Sequence, residues 1–382
     1  MLLGDLGARV IKLEQPGVGD ESRHWGPPFA GPADDQVSTY FLSCNRNKES
    51  VTCDLRSADG TVLLTRLLRR CDVLVENFRP GVLDRAGFGY PRLHEINPRL
   101  VICSISGFGH DGPQGGRPGY DQIAQGEAGL MSVTGPDPEH PVKAGVAIAD
   151  VLAGVNAALG VVAALLERER TGRGRVVRTS LLASIVGAHA FQGTRWTVAG
   201  EVPRTTGNQH PSIMPYGAFR CADGMIQVAV ANEPLWQRFA PIVGIDPGDP
   251  RFAANGARVE NRAVLTAEME RCLGRSEREH WLGLLAEAGI PAGSIRTLDE
   301  VYQWPQTRSQ GLVITVAHPV LGAIELPGPA LRFGDDGADS VGPRGAGPLP
   351  GSHLPPPLLG EHNDAVLAWL DATAAADGES PD

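Results

Sequence analysis

A single carboxylate, Asp150, interrupts the run Gly145–Gly154 (GVAIADVLAG), between an apolar stretch and the start of an apolar helix. An ionised Asp in that place has two uses. It can cap the helix, its oxygen accepting from first-turn N–H groups that have no partner within the helix. It can also be held as a carboxylate by those N–H groups and the helix dipole, and attack an activated carbonyl as a nucleophile. Ala149, Ala153 and Gly154 are small and leave room for a substrate beside it. Residue type alone favours the cap, and the two uses are compatible.

Other candidates lie upstream. Tyr120-Asp121 follows a glycine-rich loop at the start of a helix; the phenol can hydrogen-bond a bound acid, or the pair can be a packed Tyr beside a helix-start Asp. Asn77-Phe78-Arg79-Pro80-Gly81 reads as a turn at a strand end, able to cradle a cofactor. Gly107–Gly112 (GFGHDG) matches G-x-G-x-x-G after a strand. A dinucleotide site needs a helix to begin inside that motif, since the helix N-terminus holds the pyrophosphate. Pro113, Gly115, Gly116 and Pro118 forbid one. The stretch reads as a loop lining a site, or as a turn. G-x-S-x-G, H-E-x-x-H and Walker motifs are absent from the sequence. The cysteines at 44, 53, 71, 103, 221 and 272 form no C-x-x-C and join no His cluster, so neither a disulfide framework nor a zinc site is expected.

These residues need a scaffold, and the first half alternates as an α/β scaffold should. Strands are expected at Val10–Glu14, Val51–Leu55, Asp72–Val75, Leu100–Ser104 and Val176–Ser180. Helices are expected at Gly60–Arg70, Pro80–Arg85, Pro91–Asn97, Tyr120–Met131, Val151–Arg170 and Leu181–Val198. This rhythm predicts an α/β fold, a Rossmann-like large domain whose parallel sheet carries helices on both faces, with ligands at the carboxyl ends of the strands. From Tyr216 the texture changes to a hairpin turning at Ala-Asp-Gly, then helices near Leu235–Val243, Asn261–Leu273 and Ser276–Ala288. The expected division is a large domain over 1–190, a linker over 191–215, a smaller α+β domain over 216–315, and a C-terminal segment over 316–382. Within that segment, Gly334–Pro357 is expected as loop, Leu358–Leu370 as helix and Asp371–Asp382 as a frayed tail.

Among 382 residues, 34 Lys and Arg stand against 44 Asp and Glu, a net charge of −10. That excess of acid argues against a nucleic-acid partner or an anionic membrane surface. The longest apolar candidate, Val151–Leu166, holds Gly154, Asn156 and Gly160 and falls short of the ~18 residues of a membrane span. A soluble, reduced, cytoplasmic protein is expected.

The motifs together resemble the class III CoA-transferases, the family of formyl-CoA transferase, the carnitine (CaiB/BaiF-type) CoA-transferases and the alpha-methylacyl-CoA racemases. The likeness is collinear from Gly4 to about Leu370. It runs through GDLGARVIKLEQPGVGDESRHWGPPF, CNRNKESVTCDL, DVLVENFRPGVLDRAGFGY, INPRLVICSISGFGHDGP, GYDQIAQGEAGLMSVTG, AIADVLAGVNAALGVVAALLERERTGRGR, GNQHPSIMPYGAF, AGIPAG and LLGEHND. The resemblance implies coenzyme A or acyl-CoA as cosubstrate, no metal, a small carboxylic acid as partner substrate, and two subunits interlocked as a homodimer. It puts Asp150 on the family's catalytic aspartate, with Tyr120 and Asp121 in the catalytic set. Asn77, Phe78 and Arg85 match positions that line the CoA chain, and Lys48 and Arg117 are expected phosphate partners. Backbone N–H groups near Gly107–Gly109 and Gly207-Asn208 are the expected oxyanion donors.

The implied activity is CoA transfer; the alternatives are a 2-methylacyl-CoA racemase and a non-catalytic CoA-binding homologue. The racemases carry His before the Asp of their G-His-Asp motif, because proton exchange beside a carbonyl needs a poised base. Here the motif reads Gly119-Tyr120-Asp121, as in the transferases. Departures are visible too. Arg175 and Arg178 stand where the family usually has Gln and Asp, and Gln15 where formyl-CoA transferase has Arg. The glycine-run lid of formyl-CoA transferase is replaced by GNQHPSIMPY, which disfavours formate and oxalate and leans toward succinyl-CoA with a dicarboxylic or branched acid. Leu2, Leu3, Leu6 and Ala8 read as the end of an apolar helix with Gly7 as its C-cap. The family begins with a further strand and most of a helix, roughly twenty residues, so an N-terminal strand and part of the first helix are expected to be missing.

Overall fold

The computed structural model describes residues 1–335, 338–340 and 353–376. Two compact units emerge. One comprises Met1–Ala124, Ala147–Ala188 and the chain from Tyr302 onward; the other comprises Gln125–Val146 and His189–Val301.

In the first unit, strand Val10–Glu14 pairs in parallel with Lys48–Thr52, Val10 opposite Lys48 and Glu14 opposite Thr52. A second parallel sheet has Val101–Ser106 at its centre, between Val73–Glu76 and Val176–Ser180. The expected single parallel sheet is thus present as two hydrogen-bonded sheets among the described residues. The central strand is buried along nearly its whole length, its apolar residues Val101, Ile102 and Cys103 closed over on both faces and its Ser104 and Ser106 buried polar residues. On one face Leu64, Leu68, Leu83, Phe88 and Leu93 close over Leu100 and Ile102. On the other lies the helix Ile148–Thr171, whose Ala157, Val161 and Ala164 pack on Val101 and Cys103. Small residues bring that helix close: a Cβ on Gly160 would lie 2.6 Å from Val177 Cγ1. The glycine read from sequence as an interruption is a packing residue. The helix ends at Gly172, which takes φ +70 and donates its N–H to the Arg168 carbonyl.

This helix starts three residues before the expected Val151. By length and composition alone it is long and apolar enough to cross a membrane, which the sequence did not lead one to expect. Its inner stripe is committed to the sheet. Its outer stripe, Val151, Val155, Leu159, Val162 and Leu166, is exposed. The expected helix Leu181–Val198 is two helices, Leu181–Gly187 and Ala190–Thr197. Hairpin Val313–His318/Gly322–Pro327 packs Val316 and Leu326 on Leu42. Helix Asn363–Ala376 seats Val366 and Leu370 against Val51 and Leu67. It runs past the expected start of a frayed tail, because those apolar contacts hold it; residues 377–382, and most of the expected Gly334–Pro357 loop, lie outside the described residues.

The second unit holds the expected hairpin, Tyr216–Cys221 with Gly224–Ala229, extended by Ala292–Ser294 into an antiparallel sheet. Trp236, Phe239, Leu265, Met269 and Leu285 close its core. Arg258, 1% exposed, donates to Glu233 and to the Met214 and Phe252 carbonyls, so its buried charge is fully engaged.

Candidate active site

The site is built where the central strand runs out. After Ser106 the chain enters the glycine-rich loop, and no helix begins within it. Gly107 and Gly119 meet backbone to backbone: a Cβ on Gly107 would lie 2.8 Å from the Gly119 nitrogen. That closeness brings the loop's end back to the strand and sets Tyr120 and Asp121 beside it. Asp121 opens the helix Asp121–Glu127.

The Asp121 Oδ1 accepts the Ala149 N–H at 2.7 Å and the Asp150 N–H at 3.4 Å. The N-cap position of the long helix is Ala147, which supplies no side-chain cap. The capping expected of Asp150 is therefore performed from another segment by Asp121. Asp150 sits on the third helical residue, and its carboxylate is released from the capping role. Although solvent reaches it, protein crowding penalises its charged form first and the Asp121 carboxylate second, so its pKa is pushed up to about 6.

Tyr40 belongs to this site and was missed from sequence. It lies in helix Thr39–Cys44, capped by Ser38, whose Oγ accepts the Phe41 N–H. Burial raises its pKa, and the Asp150 carboxylate is the next cause. Trp25 stands edge-on to the Tyr40 ring at 4.8 Å. Both rings are exposed to solvent. The signal lay in the run HWGPPF and the helix after it, where large aromatics sit among polar residues. Tyr120 is 67% exposed.

The remaining predicted residues are placed as follows. Asn77 and Phe78 leave the end of Val73–Glu76 with both side chains exposed, and the Phe78 N–H donates to Glu76 Oε2 at 2.8 Å. Arg85 ends the short helix Val82–Arg85 and curls back over Gly81. Arg117 lies over the Phe108 ring at 4.6 Å, which ties it to the glycine loop. Lys48 keeps other company. It donates to Asn45 Oδ1 at 2.9 Å, and burial, then Lys12, lowers its pKa. Two of the expected oxyanion donors are already engaged: the Gly109 N–H donates to Ser106 Oγ at 3.1 Å and the Gly207 N–H to Thr205 Oγ1 at 3.2 Å. The second unit carries an open cleft of about 590 Å³ lined by Phe191, Arg195, Glu201, Ser212 and Asn255. It contains none of the predicted residues, so the chemistry is read at Asp150.

The family model for CoA-transferase family III matches residues 1–362. Succinyl-CoA:glutarate CoA-transferase of Mus musculus is 37% identical over 369 residues, 96% of this chain and 81% of that protein. Acetyl-CoA:oxalate CoA-transferase of Acetobacter aceti is 36% identical over 335 residues, 87% of this chain and 84% of that protein. The crystal structure of a CAIB/BAIF family protein from Brucella suis superposes with a TM-score of 0.83 at 38% identity, covering 97% of this chain and 94% of that one.

Proposed function

The chain belongs to CoA-transferase family III, and from that premise we propose that it moves CoA from succinyl-CoA to a small dicarboxylic acid with Asp150 as the covalent nucleophile. The observation that carries this reading is the Asp121–Asp150 arrangement: a helix capped from outside, leaving on its first turn a carboxylate whose charged neighbour is another carboxylate. In the first step an Asp150 oxygen attacks the thioester carbonyl, the C–S bond breaks, and a mixed anhydride and CoA thiolate result. The thiolate attacks the aspartyl carbonyl, the donor acid leaves, and an aspartyl-CoA thioester remains. The acceptor carboxylate then attacks that thioester and expels the thiolate. Attack of the thiolate on the acceptor's carbonyl releases the new acyl-CoA and restores Asp150. Covalent transfer conserves the thioester's energy and bypasses water. A pKa near 6 leaves Asp150 mostly ionised at neutral pH and more basic than an ordinary Asp, which favours attack.

Asn77, Phe78, Arg85 and Arg117 hold the CoA in this reading, with Tyr120, Tyr40 and Trp25 on the acyl side. Lys48, engaged with Asn45, is the weakest fit to a phosphate. Oxalate, disfavoured from the sequence, returns to the acceptor panel beside glutarate, since relatives of similar identity are named for each. The exposed stripe Val151–Leu166 on one helix face supports a homodimer, interlocked by family resemblance, with the partner's surface covering it. Six free cysteines suit the reducing cytoplasm.

The test is a mass-resolved screen of succinyl-, acetyl- and glutaryl-CoA against glutarate, succinate and oxalate, followed by hydroxylamine trapping. An Asp150 hydroxamate is expected after incubation with acyl-CoA alone. Transfer without modification of the Asp150 peptide would overturn the nucleophile. Deuterium entering the α-carbon of a 2-methylacyl-CoA with no acceptor present would favour racemisation instead.

A further inference from the structure

Glu76 is a buried carboxylate that the transfer chemistry does not use, yet several segments converge on it. It pairs with Ser104 in the parallel ladder, so both side chains leave the same face of the sheet. Its Oε1 accepts from Ser104 Oγ and, at 3.4 Å, from the Tyr90 hydroxyl; its Oε2 accepts the Phe78 N–H at 2.8 Å. Ser104 Oγ also meets His110 Nε2 at 2.6 Å. The hydroxyl has one proton and a carboxylate can only accept, so Ser104 donates to Glu76 and His110 must donate to Ser104 as the Nε2–H form. Arg178 continues the row on the next strand, opposite Ser104, its guanidinium 5.4 Å above the Tyr90 ring. Burial, then the Arg178 charge, lowers the His110 pKa.

The two ends of this chain of hydrogen bonds sit in the two loops that follow neighbouring strands. Phe78 opens the turn Asn77–Gly81. His110 lies in the glycine loop, whose Phe108 carries Arg117. We propose that Glu76 is a positioning residue for the CoA cosubstrate: it pins both loops in one geometry, the first directly and the second through Ser104 and His110. The inference rests on the reading that these loops hold CoA. Without the pin, cosubstrate binding must order the loops itself, and that cost falls on the affinity for CoA rather than on the chemical step at Asp150.

The test uses the full chain, with coenzyme A as the calorimetric ligand and succinyl-CoA with glutarate as the kinetic pair. E76Q keeps the shape but loses the charge. It is expected to weaken the Kd for CoA and raise the KM for succinyl-CoA by about tenfold, the loss of a charge-assisted hydrogen bond. The kcat and the KM for glutarate should stay within about twofold. S104A, which cuts His110 from Glu76, should shift the same two constants by about threefold. Should E76Q melt early, S104A alone decides. Wild-type CoA affinity in a well-folded S104A or E76Q overturns the inference, as does an equal rise in the KM for glutarate. Wild-type protein that binds no CoA overturns the functional reading, and the inference with it.

Discussion

Two carboxylates of the first unit meet the same penalty and receive opposite answers. Glu14 closes the strand Val10–Glu14, and its side chain is fully buried. Burial raises its pKa, but Arg23 grips it with two bonds of 2.7 Å, Ser50 Oγ donates at 2.6 Å and the Asp20 N–H at 3.0 Å. The pKa ends below the ordinary value. Asp150 opens the helix Ile148–Thr171, and the charge set beside it is another carboxylate, so its pKa ends above. A carboxylate that holds structure together is surrounded by donors. Asp150, the nucleophile of the proposed mechanism, is left short of them, with Asp121 satisfying the backbone in its place.

The largest break in that contrast is D150A. Transfer should fall by about 10⁴ or more, as for removal of a covalent nucleophile, while the melting temperature holds; a melting loss comparable to that of E14Q would make Asp150 structural. E14Q comes next. It leaves the Arg23 charge poorly paired and should cost about 3–5 kcal/mol in urea unfolding. E14Q with R23M should recover part of that, because the buried charge leaves with its partner.

The pH dependence separates the pair further. In the proposed mechanism ionised Asp150 is the attacking form, so the rate should fall about tenfold per unit below pH 6. The linkage to folding has opposite signs at the two sites. The raised pKa of Asp150 gives stability at acid pH that is lost as pH rises through about 6. The lowered pKa of Glu14 gives stability above the ordinary carboxylate range that is lost as pH falls through its depressed value. Between pH 7 and 5 the rate should therefore drop while the stability owed to Glu14 persists; unfolding that tracks the rate would erase the distinction. The smallest effect is expected of D121N. An Asn can still accept from the Ala149 N–H, so the cap should lose about 1 kcal/mol or less. The acid limb of the rate profile should move to lower pH, because the like charge beside Asp150 is gone; an unmoved limb would leave burial as the whole cause.

Much of this was legible in the chain itself. The expected strands Val10–Glu14 and Val176–Ser180 have their observed limits, because short segments that open on β-branched residues favour an extended chain. Pro113 and Pro118 correctly denied a helix to the glycine loop. Asp150 was singled out because an isolated carboxylate in an apolar run is rare enough to notice. What misled was locality. Asp150 looked like a cap since a cap is usually local, whereas Asp121 does the work from a distant segment. Gly160 looked like an interruption because its partner, Val177, is on a strand that the helix reaches only after folding.

The order of residues, then, determined the alternating elements, the loop that cannot be a helix, and the position of one unusual carboxylate. These follow from local sterics and from hydrophobic period. Tertiary structure decided which carboxylate caps and which is free, brought Tyr40 close enough for its phenol to feel the Asp150 charge, and joined Glu76 to His110 through Ser104. Each of those depends on residues far apart in the chain being held a few ångströms apart, and electrostatic and hydrogen-bond energies are set by that distance rather than by sequence separation.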